Sequence, residues 1–248
     1  MRRWTTALLA LAVAAVLGGG GYWAWQSGWA PLKRPPASEP VAAEPVAPAP
    51  APTLARTLFP TEPRVAGYDL SDGTKSTEVL LPDQQRLVQT YNGVPYITWF
   101  FTADGVWRKD PRGDTVLRYL PRDLTDGLVW KHTVPTGSVW FRLTRLSGCQ
   151  PAGQAPAECW QVQVLNRGEL TTFTFATGMG PVSAAAENYA KPADSFTKTL
   201  KSFGPVTVTP VQRTDLLGRG LSLEKLAGAP VEPAAAADFE AALAGARK

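Results

Sequence analysis

The sequence predicts an all-β fold, an antiparallel meander that forms a sandwich or a strongly curved half-barrel, preceded by one N-terminal transmembrane helix. Between Leu58 and Val211, short runs rich in β-branched and aromatic residues are interrupted by Gly, Asp, Asn or Pro about every eight to twelve residues. Several of these runs alternate apolar and polar side chains, as strands of a sheet packed on one face do. A continuous apolar run near the N-terminus predicts the helix.

Residues 1–29 are expected to anchor the protein in the cytoplasmic membrane. An apolar run from Trp4 to Tyr22 follows Arg2 and Arg3, and about twenty apolar residues suffice for a helix to cross a bilayer. The two arginines place the N-terminus in the cytoplasm, so the rest of the chain is expected outside. The predicted location is therefore the cell membrane, with a single span and an extracytoplasmic C-terminal domain.

Cleavage of this segment as a secretory signal peptide is the alternative, and it would release the protein. Glycines 18 to 21 are small residues of the kind that a signal peptidase accepts. Trp23 and Trp25, however, fall where the rings of a spanning helix favour the outer lipid headgroups. These aromatic residues favour an anchor that is not cleaved.

Residues 30–56 are predicted to form a linker. They are rich in proline and alanine and contain no aromatic residue. Because proline fixes φ and removes a backbone donor, such a tract favours extended polyproline II over a packed structure. At about 3.1 Å per residue, the linker would span on the order of 80 Å when fully extended.

The β domain is expected between residues 57 and 211. Asn92-Gly93 predicts a type I′ hairpin, because both central positions of that turn need positive φ. Residues 96–101 are apolar on both faces and are expected in a central strand. The stretch from Ser195 to Ser202 fits a helix as well as a strand. The predicted strands are Val65–Leu70, Thr77–Leu81, Gln85–Tyr91, Val94–Thr102, Val106–Lys109, Asp114–Leu120, Leu128–Val134, Ser138–Leu146, Cys159–Asn166, Leu170–Ala176, Phe196–Phe203 and Val206–Val211.

The concave face of a curved sheet can shelter a ligand, and four aromatic residues are candidates for that face. They are Trp99, Phe101, Trp140 and Phe175. Large aromatic side chains that line a cavity in a curved sheet suit an apolar ligand such as a lipid. The sequence therefore offers a possible apolar-ligand site on these four residues.

The two cysteines, Cys149 and Cys159, are expected to form a disulfide. They lie in the connection between two predicted strands, which Gly and Pro residues make flexible. An even cysteine count in an exported domain favours a structural disulfide, and closing a loop of about ten residues contributes roughly 2 to 3 kcal/mol. A redox pair is the alternative, but the Cys-x-x-Cys spacing that such pairs use is not found.

Residues 212–248 are expected to form a mostly disordered, low-complexity tail with short helices. Their apolar content is mainly alanine, which contributes little buried area to a core. Helices are possible at residues 214–227 and at 234–247. In the second of these, Phe239 and Leu243 are spaced to lie on one helix face.

No catalytic, cofactor-binding or metal-binding residue can be assigned from a motif. The single histidine, His132, cannot form a metal site by itself and is expected to be structural or solvent-facing. The sequence contains no Gly-x-Ser-x-Gly or His-Glu-x-x-His motif. A hydrolase that uses Asp110, Asp114 or His132 is the weakest alternative, and no cofactor is predicted.

The charge pattern argues against nucleic acid as a partner. A formal net charge of +4 and a pI near 9.1 are mild, and basic and acidic residues are interspersed. One local group is densely basic and also contains Trp107 and Tyr119. This group consists of Arg108, Lys109, Arg112, Arg118 and Arg122. For a domain outside the membrane, an anionic wall polymer or lipid surface is the partner that this group fits best.

Several segments of the predicted β domain share a recognisable order. They are Leu58-Phe59-Pro60, the hairpin at residues 86–96, residues 102–108, Leu120-Pro121 before residues 127–130, and residues 175–182. In loose order, they resemble a pattern found in an uncharacterised family of exported, often lipid-anchored or helix-anchored proteins of Gram-positive-type bacteria. The resemblance covers about residues 57–185. It implies a β fold outside the cytoplasmic membrane and implies no activity.

The sequence thus favours a non-enzymatic binding or structural module of the cell envelope, with a cell-wall polymer or an envelope protein as its partner. A carrier or sensor of an apolar ligand is the second hypothesis. The architecture and the missing catalytic motifs favour the first.

Overall fold

The computed structural model describes residues 54–109, 115–222 and 227–248. The predicted anchor, with Arg2, Arg3, Trp23 and Trp25, lies outside these ranges, as does the linker up to residue 53. Within the described ranges, no helix has both the length and the apolar character that a membrane span needs.

Fourteen strands and three α-helices form in the described part of the chain. The strands are β1 (Arg64–Leu70), β2 (Lys75–Pro82), β3 (Arg86–Tyr91), β4 (Val94–Thr102), β5 (Gly105–Lys109), β6 (Thr115–Pro121), β7 (Val129–Val134), β8 (Gly137–Cys149), β9 (Ala157–Asn166), β10 (Glu169–Ala176), β11 (Gly180–Asn188), β12 (Phe196–Pro205), β13 (Ala227–Gly228) and β14 (Val231–Pro233). The helices are α1 (Leu54–Thr57), α2 (Pro210–Arg219) and α3 (Ala236–Ala246), and single 3-10 turns occupy Pro151–Gly153 and Pro192–Asp194.

All the described strands belong to one sheet, in the order β13-β6-β5-β4-β3-β2-β1-β12-β11-β10-β9-β8-β7-β14. Two antiparallel meanders, β1 to β6 and β7 to β12, are joined where β1 pairs with β12. Apart from the short strands β13 and β14, the edge strands of the sheet are therefore β6 and β7, which follow each other directly in the chain.

The sheet curls into a nearly closed, barrel-like shape. Trp99 on β4 packs against Phe175 on β10, with ring centroids 5.6 Å apart. Tyr119 on β6 packs in the same way against Phe141 on β8, at 5.3 Å. Strands far apart in the sheet order thus share one aromatic interior. This confirms the curved half-barrel among the two predicted forms of the all-β fold.

Side chains of β7 bridge the seam between the two end strands. The indole Nε1 of Trp130 donates to the carbonyl of Arg118 on β6, at 3.0 Å. The backbone N–H of Arg118 in turn donates to Nε2 of His132, at 3.1 Å. Nδ1 of His132 therefore carries the proton and donates to the carbonyl of Ala229, at 3.2 Å. A β-strand edge exposes unpaired main-chain groups, and these bonds satisfy both main-chain groups of Arg118 on β6.

The C-terminal segment completes the seam, so the expectation of a mostly disordered tail is wrong. β13 pairs with β6 in parallel, and β14 pairs with β7 in antiparallel register. α3 then packs Phe239 and Leu243 against a small apolar cluster that includes Leu165 and Leu170. The alanine-rich composition of this segment predicted disorder. Main-chain pairing and two apolar side chains that pack on an existing surface are nevertheless sufficient to order it. Helices do form in this region, as expected.

The segment after α1 closes one end of the sheet. The ring of Phe59 contacts the rings of Trp99, Phe101 and Phe175 at centroid distances of 5.5, 5.3 and 5.7 Å. The backbone N–H of Gly180 donates to the carbonyl of Leu58 at 2.6 Å, which fixes the segment to the β10–β11 turn. The strands run between two openings of the barrel-like sheet. We call the opening at Phe59 the closed end and the opposite opening the far end.

Eleven of the twelve predicted strands correspond to β1 to β10 and β12, whereas β11, β13 and β14 were not predicted. The β3–β4 hairpin turns at Asn92 and Gly93, whose φ values are 50° and 77°, as a type I′ turn requires. β11 was missed because its sequence is rich in alanine and contains a single β-branched residue, Val182, whereas such residues are typical of strands. The strand expected at Val206–Val211 is wrong. α2 begins there at Pro210, with a capping box between Thr209 and Gln212.

The disulfide between Cys149 and Cys159 joins the end of β8 to β9, with the two Cα atoms 5.9 Å apart. β8 is longer than predicted because it continues to Cys149, past a register shift after Leu146. Cys159 is fully buried beside the aromatic interior. The bond therefore closes a loop at the edge of the core and has a structural position.

Replacing His132 by leucine should weaken the seam. The change leaves the Arg118 N–H and the Ala229 carbonyl without their partner, so the free energy of unfolding at pH 8 should fall by about 2 to 3 kcal/mol. Urea denaturation monitored by tryptophan fluorescence measures this difference. An unchanged midpoint would contradict the bridging role.

The same histidine should make stability depend on pH. Burial is the main cause that lowers the pKa of His132 below its ordinary value of 6.5. A depressed folded-state pKa contributes stability that is present above 6.5 and is lost as pH falls through the folded-state value. Wild-type stability should therefore decrease below about pH 6.5, whereas His132→Leu should lack this component. Because the sequence has one histidine, equal slopes in both proteins would exclude the assignment.

Removing the disulfide should destabilise the domain without unfolding it. Cys149→Ala/Cys159→Ala frees a loop of sequence separation 10, which should lower the free energy of unfolding by about 2 to 3 kcal/mol. Urea denaturation measures the change, and reduced wild-type protein serves as the control. Two alkylatable thiols in unreduced wild-type protein would show that the bond does not form.

Candidate functional site

An ion pair lies inside the sheet near the far end. Glu78 on β2 and Lys198 on β12 form it, and their side chains are 2% and 17% exposed. Both strands point these residues inward, because Glu78 shares a face with Leu80 and Lys198 shares a face with Leu200. A charge in this position needs a partner, since an unpaired charge is costly to bury.

Two neighbouring side chains complete what we call the interior polar cluster, which consists of Glu78, Gln89, Tyr96 and Lys198. Nε2 of Gln89 donates to the Glu78 carboxylate and also to the hydroxyl of Tyr96, at 3.0 Å. Oε1 of Gln89 accepts from Nε1 of Trp99 at 3.2 Å. Nζ of Lys198 donates to Glu78 and to the Tyr96 hydroxyl, the latter at 3.1 Å. The cluster is thus one connected hydrogen-bond network.

A β-bulge brings Tyr96 into this network. Ile97 pairs with Gln89 and Pro95 pairs with Thr90, so Tyr96 is the extra residue of β4. A bulge bends its strand and redirects a side chain, which lets the Tyr96 hydroxyl reach Lys198. Proline beside the bulge suits the local break in pairing.

Burial and the Glu78 charge set the protonation of the site. Burial first, and then the Glu78 carboxylate, raise the pKa of the Tyr96 phenol above its ordinary value. The same two causes raise the pKa of Tyr68, whose hydroxyl donates to the carbonyl of Pro181 at 2.9 Å. Burial lowers the pKa of Lys198, and Glu78 opposes that effect. Both phenols therefore stay neutral and can donate hydrogen bonds at physiological pH.

Arg108 on β5 adds a second cation to the interior at this end. Its guanidinium carbon lies 5.2, 5.3 and 5.4 Å from the ring centroids of Trp99, Tyr119 and Phe173. Its Nη1 atom is buried and has no hydrogen-bond partner among the described residues. The aromatic rings thus hold the guanidinium in place by cation–π contact, but they do not satisfy this donor.

Partly exposed aromatic side chains lie next to the cluster at the far end. Tyr91 and Tyr96 are 44% and 45% exposed and pack together, with ring centroids 6.1 Å apart, while the Tyr96 hydroxyl bonds to Gln89 and Lys198 in the cluster. Phe196 is also exposed and precedes Lys198 by two residues on the same face of β12. We call these three residues the far-end rim. A concave site with apolar walls and a few convergent polar groups is the usual form of a ligand-binding site.

Two cavities adjoin the cluster. The inner one has a volume of about 30 Å³ and is lined by Tyr68, Gln89, Ile97, Trp99, Phe173, Pro181, Ser183, Ala184 and Lys198. The outer one is a groove of about 370 Å³, lined by Pro95, Tyr96, Ile97, Thr98, Arg108, Lys109, Arg219, Gly220 and Leu221. The inner cavity has room for one water molecule, whereas the groove has room for a small ligand.

The proposed apolar-ligand residues are only partly brought together. Trp99, Phe101 and Phe175 meet in the interior, but Phe59 packs among them and fills the space at the closed end. Trp140 lies on the opposite face of β8, where it packs against the cluster of α3. The period-two alternation of a strand explains this, because Val139 and Phe141 face the interior.

The candidate catalytic residues do not form a reactive group in the described structure. His132 is buried and both ring nitrogens are engaged in the seam. Asp110 and Asp114 lie outside the described residues. Ser195 and Lys198 have the spacing of a Ser-x-x-Lys motif, but Ser195 Oγ accepts from the Asn188 N–H, whereas Lys198 bonds to Glu78. The described residues contain no group of carboxylates, histidines or cysteines able to hold a metal ion.

Sequence reasoning did not find the interior polar cluster. Its signal is a charged residue at an inward position of an otherwise apolar face, at Glu78 in β2 and at Lys198 in β12. Each residue alone resembles an ordinary exposed charge of an alternating strand. They become a site only because β1 lies between β2 and β12 in the sheet.

Comparisons with known proteins leave the family open. No protein-family model matches the sequence, and no curated protein matches it. Among solved structures, one similar chain is a predicted exported protein with a YmcC-like fold from Bacteroides fragilis, at a TM-score of 0.31 and 9% identity over 59% of this chain and 98% of that one. Another is a predicted lipoprotein from Parabacteroides distasonis, at a TM-score of 0.29 and 8% identity over 60% and 98%.

Removing one charge of the ion pair should lower the free energy of unfolding more than removing both charges does. Glu78→Gln or Lys198→Met leaves one buried charge unpaired and should lower the free energy of unfolding by about 3 to 5 kcal/mol. The double variant should lose less than either single variant. Urea denaturation of all four proteins gives the coupling energy.

Lys201→Met is the matched control, because Lys201 is exposed on the same strand and pairs with Asp69 at 3.8 Å. Its stability should stay within about 0.5 kcal/mol of wild type. Strictly additive effects of the two interior substitutions would contradict the description of the pair.

Proposed function

We propose that the protein is a non-enzymatic binding module of the cell envelope, which an N-terminal helix holds at the outer side of the cytoplasmic membrane. Its binding site is the far end of the sheet, with the interior polar cluster at the base and the far-end rim at the entrance. Its ligand is a cell-wall polymer. The observation that carries this proposal is a connected set of buried polar groups beneath exposed aromatic rings.

The disulfide and the N-terminal sequence support the extracytoplasmic location. Disulfides persist in oxidising compartments and are rare in the cytosol. The bond between Cys149 and Cys159 joins two strands at the edge of the core. Arg2 and Arg3 before the apolar run give the orientation, with the N-terminus inside. The resemblance to anchored envelope proteins agrees with this location, and we propose membership in that family on the same basis.

The polar cluster supports binding more strongly than it supports stability. A buried ion pair is often no more stabilising than apolar residues of similar volume, because removing both charges from water is costly. Glu78 and Lys198 lie in an interior that is otherwise aromatic and aliphatic. Convergent donors and acceptors at the end of such an interior are suited to holding a polar ligand.

A polyhydroxylated polymer suits the far end better than a lipid does. Sugar rings present apolar C–H faces to aromatic side chains and hydroxyl groups to polar ones, and the far end offers both. An acyl chain would need an apolar cavity of several hundred Å³. The cavity of about 30 Å³ beside Trp99 and Phe173 is too small for one.

Co-sedimentation of the full chain in detergent with purified cell wall tests the proposal. Wild-type protein should sediment with the wall in a saturable manner. Tyr91→Ala/Phe196→Ala removes two exposed rings of the far-end rim and should weaken binding by about tenfold or more. Because both side chains are exposed, the variant should keep the stability of wild type.

Val211→Ala is the control, since Val211 is an exposed apolar residue on α2, away from the rim. It should bind as wild type does. If the rim variant binds the wall as strongly as wild type does, the binding site does not include the far-end rim. Failure of wild-type protein to bind any wall fraction, together with a specific cross-link to an envelope protein in the native host, would replace the polymer with a protein partner.

A further inference from the structure

The groove beside the far end has a strongly basic lining. Three cationic residues, Arg108, Lys109 and Arg219, line it together with backbone and apolar atoms, and none of the lining residues that the structure describes is a carboxylate. Its volume of about 370 Å³ suits one small anionic group and the ring or polyol that carries it. Arg108 and Lys109 are also the start of the most basic local group in the sequence.

The groove exists because β4 continues past the end of β5. Pairing between the two strands covers only Trp99 to Thr102 of β4. Residues 95–98 therefore have no ladder on the β5 side in the described chain. The end of β5 places Arg108 and Lys109 beside this stretch, so the cations meet a polar main-chain edge.

The other wall of the groove is fixed in place by hydrogen bonds. Nη2 of Arg86 donates to the Leu217 carbonyl at 2.9 Å, and Nη1 donates to the Leu221 carbonyl at 2.6 Å. The N–H of Leu221 donates to Oγ1 of Thr98 at 3.3 Å. The end of α2, with Arg219, is thus held against β3 and β4. Arg219 itself pairs with Asp215 at 2.9 Å in an exposed position.

Arg108 supplies the strongest reason to expect an anion. Its Nη1 is buried without a partner, while three aromatic rings hold the guanidinium. Lys198, the other inward cation near this end, is already paired with Glu78. The described interior here therefore has one cation more than it has carboxylates. Buried donors and charges are normally paired, so a bound anion would supply the partner that Nη1 of Arg108 does not have among the described residues.

We propose that this groove binds an oxyanion, a phosphate or carboxylate on the cell-wall polymer, with Arg108 as the central contact. This inference rests on the proposed function and names the chemistry of its ligand. The guanidinium offers forked donors that match either oxyanion, and Lys109 and Arg219 add positive charge at the sides. The neighbouring rim would then hold the uncharged part of the same ligand.

Binding of defined probes to the full chain in detergent tests this inference. The probes are a glycerol-phosphate oligomer, a galacturonate oligomer, a neutral oligosaccharide of the same length and vesicles rich in anionic lipid. Calorimetry should show the tightest binding for one of the two anionic oligomers, with affinity that falls as salt increases. Arg108→Met should weaken that binding by at least about tenfold, and Arg108→Lys by less.

Arg145→Met is the matched control, because Arg145 is an exposed arginine on β8 that pairs with Glu158 at 3.2 Å. It should bind as wild type does, and circular dichroism melting should show that all variants fold. The inference is overturned if Arg108→Met keeps wild-type affinity, if the neutral oligosaccharide binds equally well, or if only the lipid vesicles bind. If the neutral oligosaccharide binds equally well, the proposed polymer-binding function still stands. If the protein binds no probe and no wall fraction, both this inference and the proposed function are overturned.

Discussion

Closing a single sheet along its two edge strands is the constraint on which the rest of this structure depends. β6 and β7 end the two meanders, and each would expose a row of main-chain donors and acceptors. The side chains of Trp130 and His132 satisfy the main chain of Arg118, and the C-terminal strands pair along the remaining edge. The single histidine therefore has a structural role that its position explains. The C-terminal segment is part of the closure, which is why it is ordered despite its composition.

Filling the enclosed space makes the two ends of the sheet different. At the closed end, Phe59 follows α1 and completes an aromatic core with Trp99 and Phe175. At the far end, the inward positions carry Glu78, Lys198 and Arg108 in place of apolar residues. A ligand inside the sheet would need space that these side chains do not fill. The packing at the closed end therefore leaves the far end for the proposed site.

The sequence allowed most of the fold to be predicted, because the signals of an antiparallel meander are local. The Asn92-Gly93 turn, the alternation in β8 and β9, and the cysteine pair each depend on neighbours in the chain. β11 was missed because its alanine-rich sequence is not typical of a strand, although it pairs with its chain neighbour β10. The C-terminal segment was missed because its order comes from pairing with the distant strands β6 and β7. The site was missed for the same reason. Glu78 and Lys198 are 120 residues apart, and a bulge in a third strand brings Tyr96 to them.

The location of the polar groups links the fold to the proposed role. A purely structural core gains nothing from an ion pair that an apolar pair could replace, and it gains nothing from an arginine donor left without a partner. Both features occur at the far end, next to exposed aromatic rings and a basic groove. The described chain begins with α1 at the closed end, beside Phe59. The proposed binding site lies at the opposite end of the sheet, so the proposed tether would leave that site accessible to a large polymer.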